Sequence, residues 1–485
     1  MEKTDKSLPA QMRENLARLR ELGVEPYPRR SERTHTACDV AERFDELEGS
    51  EVKVAGRLMA IRGHGKAGFG DLVDGTGKIQ LYVRKDDVGE ELFEMWKLLD
   101  VGDIVGATGE AFRTRSGEPS VKVGGLTVLA KALLPLPEKW HGLKDTELRS
   151  RHRYLDLIAN ADSRRAFEVR STVLRIARDF LHERGFVEVE TPVLQPIYGG
   201  AFARPFVTHH HALDIPLYLR IADELYLKRL IVGGMERVFE IGKDFRNEGM
   251  DRTHSPEFTQ LELYQAYADY HDMMDITEEL VAGMARAVHG GTRFPWAEGE
   301  IDVAPPWKRV KVMDAVAEAV GAEALEGDAA LMSAARARGL DIPDGASGSE
   351  MMEEVLSELV EPTFTEPTFL IDYPKSISPL AKQTPEDPEI VERFEFFIGG
   401  LELGNSFTEL NDPDEQTRRL EVQVGEREGG NAEAHGMDED FIRALEHGMP
   451  PTGGLGIGLD RLVMLLTNSW NIRDVILFPP MRPEG

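Results

Sequence analysis

Arg246, Glu248, His254, Phe258, Glu262 and Tyr264 fall within the twenty residues 245–264. Two β-like runs carry them, joined by a short polar loop at 249–256. In a strand, residues two apart share a face. Arg246 and Glu248 are therefore expected on one face, and Phe258, Glu262 and Tyr264 on one face of the next run. An antiparallel hairpin would gather guanidinium, carboxylates and rings over one surface, with Arg252, Thr253 and His254 at its tip. A merely solvated hairpin with cross-strand ion pairs would leave Phe258 and Tyr264 poorly placed. A site that holds a nucleotide beside a charged amino acid would use them all.

A second block runs from Arg393 to Glu409 and contains Glu395, Glu402, Asn405 and Phe407. Gly399-Gly400 suits a two-residue hairpin turn. In that register Phe397 pairs with Glu402, so Glu395 and Glu402 lie diagonally on one face. Two such carboxylates repel unless a cation lies between them. Oxygen-only ligands point to Mg²⁺ shared with substrate phosphates. Asn405, Phe407 and Glu409 fall on the opposite face, so a single pocket requires a bulge between 402 and 405, with Gly404 the natural position. A charged edge strand is the weaker alternative.

The third block is Pro450-Pro-Thr-Gly453-Gly454-Leu-Gly456-Ile-Gly458-Leu-Asp460-Arg461. Its glycines suggest a loop that lets a ligand approach the backbone ahead of a helix start that favours phosphate. Arg461 in the first turn of that helix opposes the helix dipole, so it is better explained by a phosphate or base contact. Three consecutive histidines, 209–211, cannot bind one ion from a strand because they alternate faces. They are expected as hydrogen-bonded strand residues.

The elements that must position these residues are legible in outline. A chain of 485 residues is too long for one core and implies two or three domains. No apolar run approaches 18 residues and the N-terminus lacks the apolar stretch of a signal peptide. The single cysteine, Cys38, fits a reducing cytoplasm and is expected as a buried apolar side chain. The net charge of −29 is uneven: residues 1–150 hold 24 Lys+Arg against 26 Asp+Glu, and the remainder 33 against 60. The N-terminal part can thus touch nucleic acid without a strong repulsive field. It begins with an amphipathic helix at 9–23, followed by short alternating strands from Val52 to Ala130 and a helical piece near 90–98. This pattern predicts a five-stranded barrel of the OB type. Leu134-Pro-Leu-Pro-Glu-Lys reads as a stiff linker. The division is therefore 1–144 and 145–485. The second part opens with a long helix at 163–184 and a strand at 187–192. Strands dominate 205–265 and 368–410, a helical insertion lies at about 295–360, and the last helix at 459–468. The fold class is α+β.

Together these blocks resemble the three signature motifs of class II aminoacyl-tRNA synthetases. Phe180 to Pro192 resembles motif 1, Phe245 to Tyr264 motif 2, and Gly454 to Arg461 motif 3. The resemblance extends to the lysyl-tRNA synthetases of the aspartyl/asparaginyl/lysyl subgroup over nearly the whole chain. It includes Ala203-Arg-Pro-Phe-Val-Thr-His-His, Leu217 to Leu230, Ser376-Ile-Ser-Pro-Leu-Ala-Lys and Arg473-Asp-Val-Ile-Leu-Phe-Pro. It implies an antiparallel catalytic sheet flanked by helices, an OB-type anticodon-binding barrel, and a homodimer through motif 1. It implies that Arg246 and Asn405 hold the lysine carboxylate, Gly200 and Glu224 the α-amino group, and Glu262, Tyr264 and Glu409 the ε-ammonium, with Phe407 in the same pocket. Glu248, His254, Phe258 and Arg461 would hold ATP, and Glu395 and Glu402 Mg²⁺. Phe69, Gln80 and Glu118 match positions that read anticodon bases. The chemistry so implied is formation of lysyl-adenylate and transfer of lysine to its tRNA, catalysed by charge from Arg246, Arg461 and the metal. The sequence departs from the common pattern at Arg252, one position early in the motif 2 loop, and at Ser255 and His211.

Three other classes stay open on sequence alone. An aspartyl- or asparaginyl-type synthetase shares the layout, but Glu262 and Glu409 suit a cationic side chain. A protein lysylase would lack the barrel. A synthetase-like RNA-binding protein has no use for Arg246, Glu395, Glu402 and Arg461 together.

Overall fold

The computed structural model describes residues 7–137, 145–428 and 436–483. Two compact units emerge, Met1–Lys144 and Asp145–Gly485.

In the first unit, a helix at Leu8–Glu21 buries Met12, Leu16 and Leu19. Five strands follow: β1 (Glu51–His64), β2 (Ala67–Val73), β3 (Lys78–Arg84), β4 (Ile104–Arg113) and β5 (Pro119–Ala130). They close into a barrel in the order β1-β2-β3-β5-β4. The β2–β3 turn is set locally. Asp74 Oδ1 accepts the N–H groups of Thr76 at 2.8 Å and Gly77 at 3.1 Å, the geometry that makes aspartate a turn former. Alternate residues such as Val52, Val54, Leu72, Leu81 and Val121 fill the interior. The helix at Lys85–Lys97, broken at Gly89, adds Phe93 and Trp96 to that core. Cys38 is half-buried rather than buried. The linker from Glu138 onward and residues 1–6 lie outside the described residues.

The second unit contains β6 (Val187–Glu188), β7 (Leu194–Gln195), β8 (Val207–His210), β9 (Ile215–Leu219), β10 (Arg237–Phe245), β11 (Glu257–Ala266), β12 (Arg293–Trp296), β13 (Gly299–Asp302), β14 (Lys308–Lys311), β15 (Thr368–Pro374), β16 (Ile390–Ile398), β17 (Leu401–Thr408) and β18 (Thr452–Gly458). Eight of them form one sheet in the order β14-β15-β16-β17-β18-β11-β10-β6. Its six central strands are antiparallel, and each edge strand is parallel to its neighbour. One face packs on the helices Ala161–Glu183, Tyr270–His289 and Leu459–Leu466 through Phe239, Leu261, Leu263, Phe396, Leu455 and Ile457. The opposite face carries the polar residues.

Several expectations change. The glycine-rich stretch is not a loop: it is β18, a central strand paired on both sides. Its sequence alternates Gly454-Leu-Gly456-Ile-Gly458, with the apolar residues on the helix-packed face and the glycines on the other. The stretch 295–360 is helical only from Val312. Before that come the β12–β13 hairpin and β14, because Phe294, Trp296, Ile301, Val303 and Trp307 are needed in the sheet-side core. The strand expected at 187–192 shortens to β6. Arg246 and Glu248 lie beyond β10: after Arg246 N donates to Pro256 O at 2.9 Å, Asn247 N turns away to Arg204 O at 2.7 Å. The three histidines are exposed, and the strand β8 ends at His210, so His211 lies outside it. His209 Nε2 is 3.1 Å from Asp214, and His210 Nδ1 accepts from Leu213 N at 3.2 Å.

Candidate active site

The polar face of the sheet floors a cavity of about 430 Å³. Strand register organises it in rows. One row runs Arg393, Phe407, Gly454, Tyr264 across β16, β17, β18 and β11. The next runs Glu395, Asn405, Gly456, Glu262. Gly399 and Gly400 make the hairpin turn with φ of +65° and +76°, and Phe397 pairs with Glu402. The register shifts where Phe396 faces Gly404 and Phe397 faces Glu402, so Leu403 is the extra residue. That bulge puts Glu402 on the same side as Asn405 and Phe407, all of which line the cavity. The glycines of β18 keep the floor low. A Cβ on Gly454 would lie 2.6 Å from Tyr264 Cε1 and closer still to Glu409 Oε1. Every second-unit residue to which the resemblance gives a role in binding lysine, ATP or Mg²⁺ lines this cavity.

One end is built for cations. Glu262 accepts from Gln260 Nε2 at 3.0 Å and from the Tyr264 hydroxyl at 3.1 Å. Burial raises the Glu262 carboxyl well above its usual range, and Asp223, Asp244 and Glu224 push it further. Burial and the same negative field raise the Tyr264 phenol, which therefore stays a donor. Glu224 heads the helix Glu224–Val232 and Glu409 follows β17, both buried. Between them stands Lys228, whose Nζ is 2.5 Å from Glu224 Oε1 and ion-paired with Glu409 Oε2. Gly200, at φ +90°, packs so closely on Glu224 and Ala222 that its Cβ would meet each at 3.1 Å. Behind Glu262, Asp223 and Asp244 form a carboxylate triad with it. Arg220 lies 3.1 Å from Asp244 and 2.6 Å from Glu240, so a protein cation already neutralises part of this cluster. The Asp244 carboxyl is nevertheless pushed up to about 6, by burial first.

The other end is built for anions and rings. The Arg246 guanidinium lies 5.1 Å over Phe258. Arg461 donates to Glu402 O at 2.8 Å, Glu402 Oε2 at 3.0 Å and Thr253 O at 3.2 Å, and its Nη2 is 2.8 Å from His254 Nε2. Arginine only donates. His254 Nε2 therefore accepts, and its Nδ1–H donates to Asp251 Oδ2 at 2.8 Å. Against the upward push of burial, bonds from Thr253 and His254 hold Asp251 down at about 2. Burial likewise pushes Glu402 up, but Arg461, with Arg246 and Arg393 adding to it, keeps the carboxyl below its usual range. Glu248 and His254 are exposed on the rim. Arg252 turns away, 6.0 Å over Trp470, and does not line the cavity.

Glu395 is fixed by Arg393 Nη2 at 2.6 Å and by the Tyr373 hydroxyl at 2.8 Å. Arg393 Nε also donates to Asn405 Oδ1 at 2.8 Å. That contact assigns the amide: its oxygen faces Arg393, leaving its N–H₂ to donate to an incoming acceptor. Nearby Glu361 is pushed up to about 8, by burial and then by Glu395 and Glu402. So negative a corner fits a divalent cation with oxygen ligands, and Glu395 with Glu402 are the carboxylates that could hold it.

On the barrel, Phe69 pairs with Tyr82 and Asp71 with Gln80, so Phe69, Gln80 and Tyr82 share a face. The Phe69 and Tyr82 rings are 5.1 Å apart and the Tyr82 and Phe112 rings 5.5 Å. Gln80 Nε2 donates to Glu118 at 3.0 Å and its Oε1 accepts from Ser120 at 3.1 Å.

Sequence reasoning missed Lys228, Arg393, Tyr373, Asp251 and the ring pair Tyr82–Phe112. Two of them had a usable signal. Lys228 is four residues after Glu224, one helical turn, and Arg393 is two residues before Glu395 on the same strand face.

The eight-stranded sheet carries one cavity, acidic at one end and lined by Arg246 and Arg461 at the other, and its family is shown by likeness to known proteins. Residues 145–482 match the family model for tRNA synthetases class II (D, K and N), and residues 52–129 match that for the OB-fold nucleic acid binding domain. A lysine–tRNA ligase of Moorella thermoacetica is 55% identical over 473 residues, 97% of each chain. Those of Carboxydothermus hydrogenoformans and Bacillus subtilis are 53% and 52% identical over 97% of this chain, covering 97% and 96% of theirs. The chain belongs to the lysine–tRNA ligase family of class II synthetases.

Proposed function

We propose that this chain activates L-lysine with ATP to lysyl-adenylate and then transfers lysine to the 3′-terminal adenosine of its tRNA. The observation that carries this is the two-ended cavity: Glu224, Glu262, Glu409 and Tyr264 at one end, Arg246, Phe258 and Arg461 at the other. Lysine brings two ammonium groups and one carboxylate, and ATP brings polyphosphate and a ring. In this reading Glu262, Tyr264 and Glu409 take the ε-ammonium in the Phe407 pocket, and Glu224 with the Gly200 backbone takes the α-amino group. Arg246 and the Asn405 amide hold the carboxylate. Its oxygen bonds to the α-phosphorus as the bond to pyrophosphate breaks. The adenosine hydroxyl of tRNA then attacks the carbonyl carbon and AMP leaves. No protein nucleophile is needed; Arg246 and Arg461 lower the barrier by position and charge.

Glu395 and Glu402 would hold Mg²⁺, which when bound neutralises phosphate charge. Glu248, His254 and Phe258 would seat the nucleotide, with Phe258 against adenine. Phe69, Gln80 and Glu118 would read anticodon bases by stacking and hydrogen bonding. Among the described residues no helix is long and apolar enough to cross a membrane; a cytoplasmic location is part of the proposal. So is a homodimer, supported by Val187, Val193, Leu194, Ile197, Phe202, Val207, Leu213 and Ile215, all exposed within 187–215. ATP–pyrophosphate exchange across the twenty amino acids tests the activity. Exchange with lysine and no other is expected. Exchange with aspartate or asparagine, or charging of no lysine tRNA transcript, would overturn it.

A further inference from the structure

We propose that Lys228 is a positioning residue for the substrate's two ammonium groups: bridging Glu224 and Glu409, it holds one oxygen of each carboxylate and turns the other toward the cavity. The proposal rests on the lysine-binding reading above. Lys228 itself does not line the cavity, and its side chain is completely buried. Its ammonium meets Glu224 Oε1 at 2.5 Å and is paired with Glu409 Oε2. Phe407 and Phe441 cover it, at 5.3 and 5.9 Å from their ring centres. The second oxygens point elsewhere. Glu224 Oε2 lies 3.7 Å from where a Gly200 Cβ would stand, and Glu409 Oε1 lies against the Gly454 position. Both glycines line the cavity. Lys228 thus holds the inner oxygens of two acids whose outer oxygens lie against glycines of the cavity wall.

Charge gives the bridge a second task. Burial drives Glu224 and Glu409 toward the protonated form, and Lys228 is the strongest influence against it for each. The other groups acting on them are few. Glu224 adds its own charge against Glu409, and Arg393 on β16 helps Glu224. From β11, Tyr264 and Glu262 face the same pocket. A protonated carboxyl binds ammonium poorly, so removing Lys228 must weaken substrate binding most at low pH.

The test is pyrophosphate exchange by the full-length Lys228→Met variant, titrating lysine and ATP separately from pH 6.5 to 8.5. A folded variant is expected to raise the KM for lysine by about tenfold or more at pH 7, one pH unit of lost ionisation. The KM for ATP should stay within twofold, and the lysine defect should shrink as pH rises. A KM for lysine unchanged from the wild type, or a defect that does not vary with pH, overturns the proposal. If the methionine variant fails to fold, Lys228→Arg replaces it. The guanidinium fork cannot keep both oxygens in place, so a rise in lysine KM alone is expected and an unchanged value refutes. Wild-type protein that activates an amino acid other than lysine would sink the underlying reading instead.

Discussion

Gly454→Ala should abolish efficient lysine activation while leaving ATP binding intact. The reason is the floor of the cavity. A Cβ there would stand 2.6 and 2.9 Å from Tyr264 Cε1 and Cδ1, and nearer to Glu409 Oε1. β18 cannot withdraw, because its backbone pairs with β17 on one side and β11 on the other. The side chains must move instead. Glu409 would retreat by about 1 Å, and a misplacement of that size costs on the order of 10²-fold in activity. Overpacking adds about 1–3 kcal/mol of instability. The assay is pyrophosphate exchange with lysine and ATP titrated in turn, beside a thermal melt. Gly283→Ala is the control: it lies in the helix Tyr270–His289 with nothing within 4 Å of its Cβ position. That change should stabilise by about 0.5–1 kcal/mol without touching lysine binding. A Gly454→Ala protein with lysine kcat/KM within twofold of wild type would refute the reasoning.

Glu409→Gln should weaken lysine binding by roughly 2–5 kcal/mol, the cost of unpairing a buried charge, with ATP affinity unchanged in the same exchange assay. Lysine binding should also release protons. Asp244 is raised to about 6, burial also raises Asp223 and Glu262, and a bound ammonium favours the charged forms of all three. Calorimetry in buffers of different ionisation enthalpy measures this. Without lysine the sign reverses for stability. Asp244's raised value means its contribution is full below the unfolded value near 3.8 and is lost as pH climbs through about 6; melts between pH 4 and 7 test it. Arg461→Lys should lower activation at least about 10²-fold, since one ammonium cannot replace a fork that reaches Glu402, Thr253 and His254 together. Single-turnover adenylate formation reads that loss.

Much of this site is written locally in the chain. Gly399-Gly400 dictates a tight turn, the turn dictates that Phe397 meets Glu402, and the two-residue period then puts Glu262 and Tyr264 on one face of β11. Even the bulge near Gly404 follows from requiring Glu402 and Asn405 to share a pocket. These inferences work because turn geometry and strand alternation act over a few residues. The same alternation was present in Gly454-Leu-Gly456-Ile-Gly458, yet glycine's association with loops outweighed it.

What only the tertiary structure decided is who stands beside whom across long stretches of chain. β18, near the C-terminus, inserts between β17 and β11, and nothing in its own residues names those neighbours. Lys228 meets Glu224 through one helical turn, but meets Glu409 only because the fold brings the helix Glu224–Val232 beside the residue that follows β17. Arg461 finds His254 and Glu402 in the same way. Sequence set the chemistry each segment carries and the face it shows. The order of strands set which charges are buried together, and burial is what gives ordinary carboxylates their raised proton affinity and their need for a cationic partner.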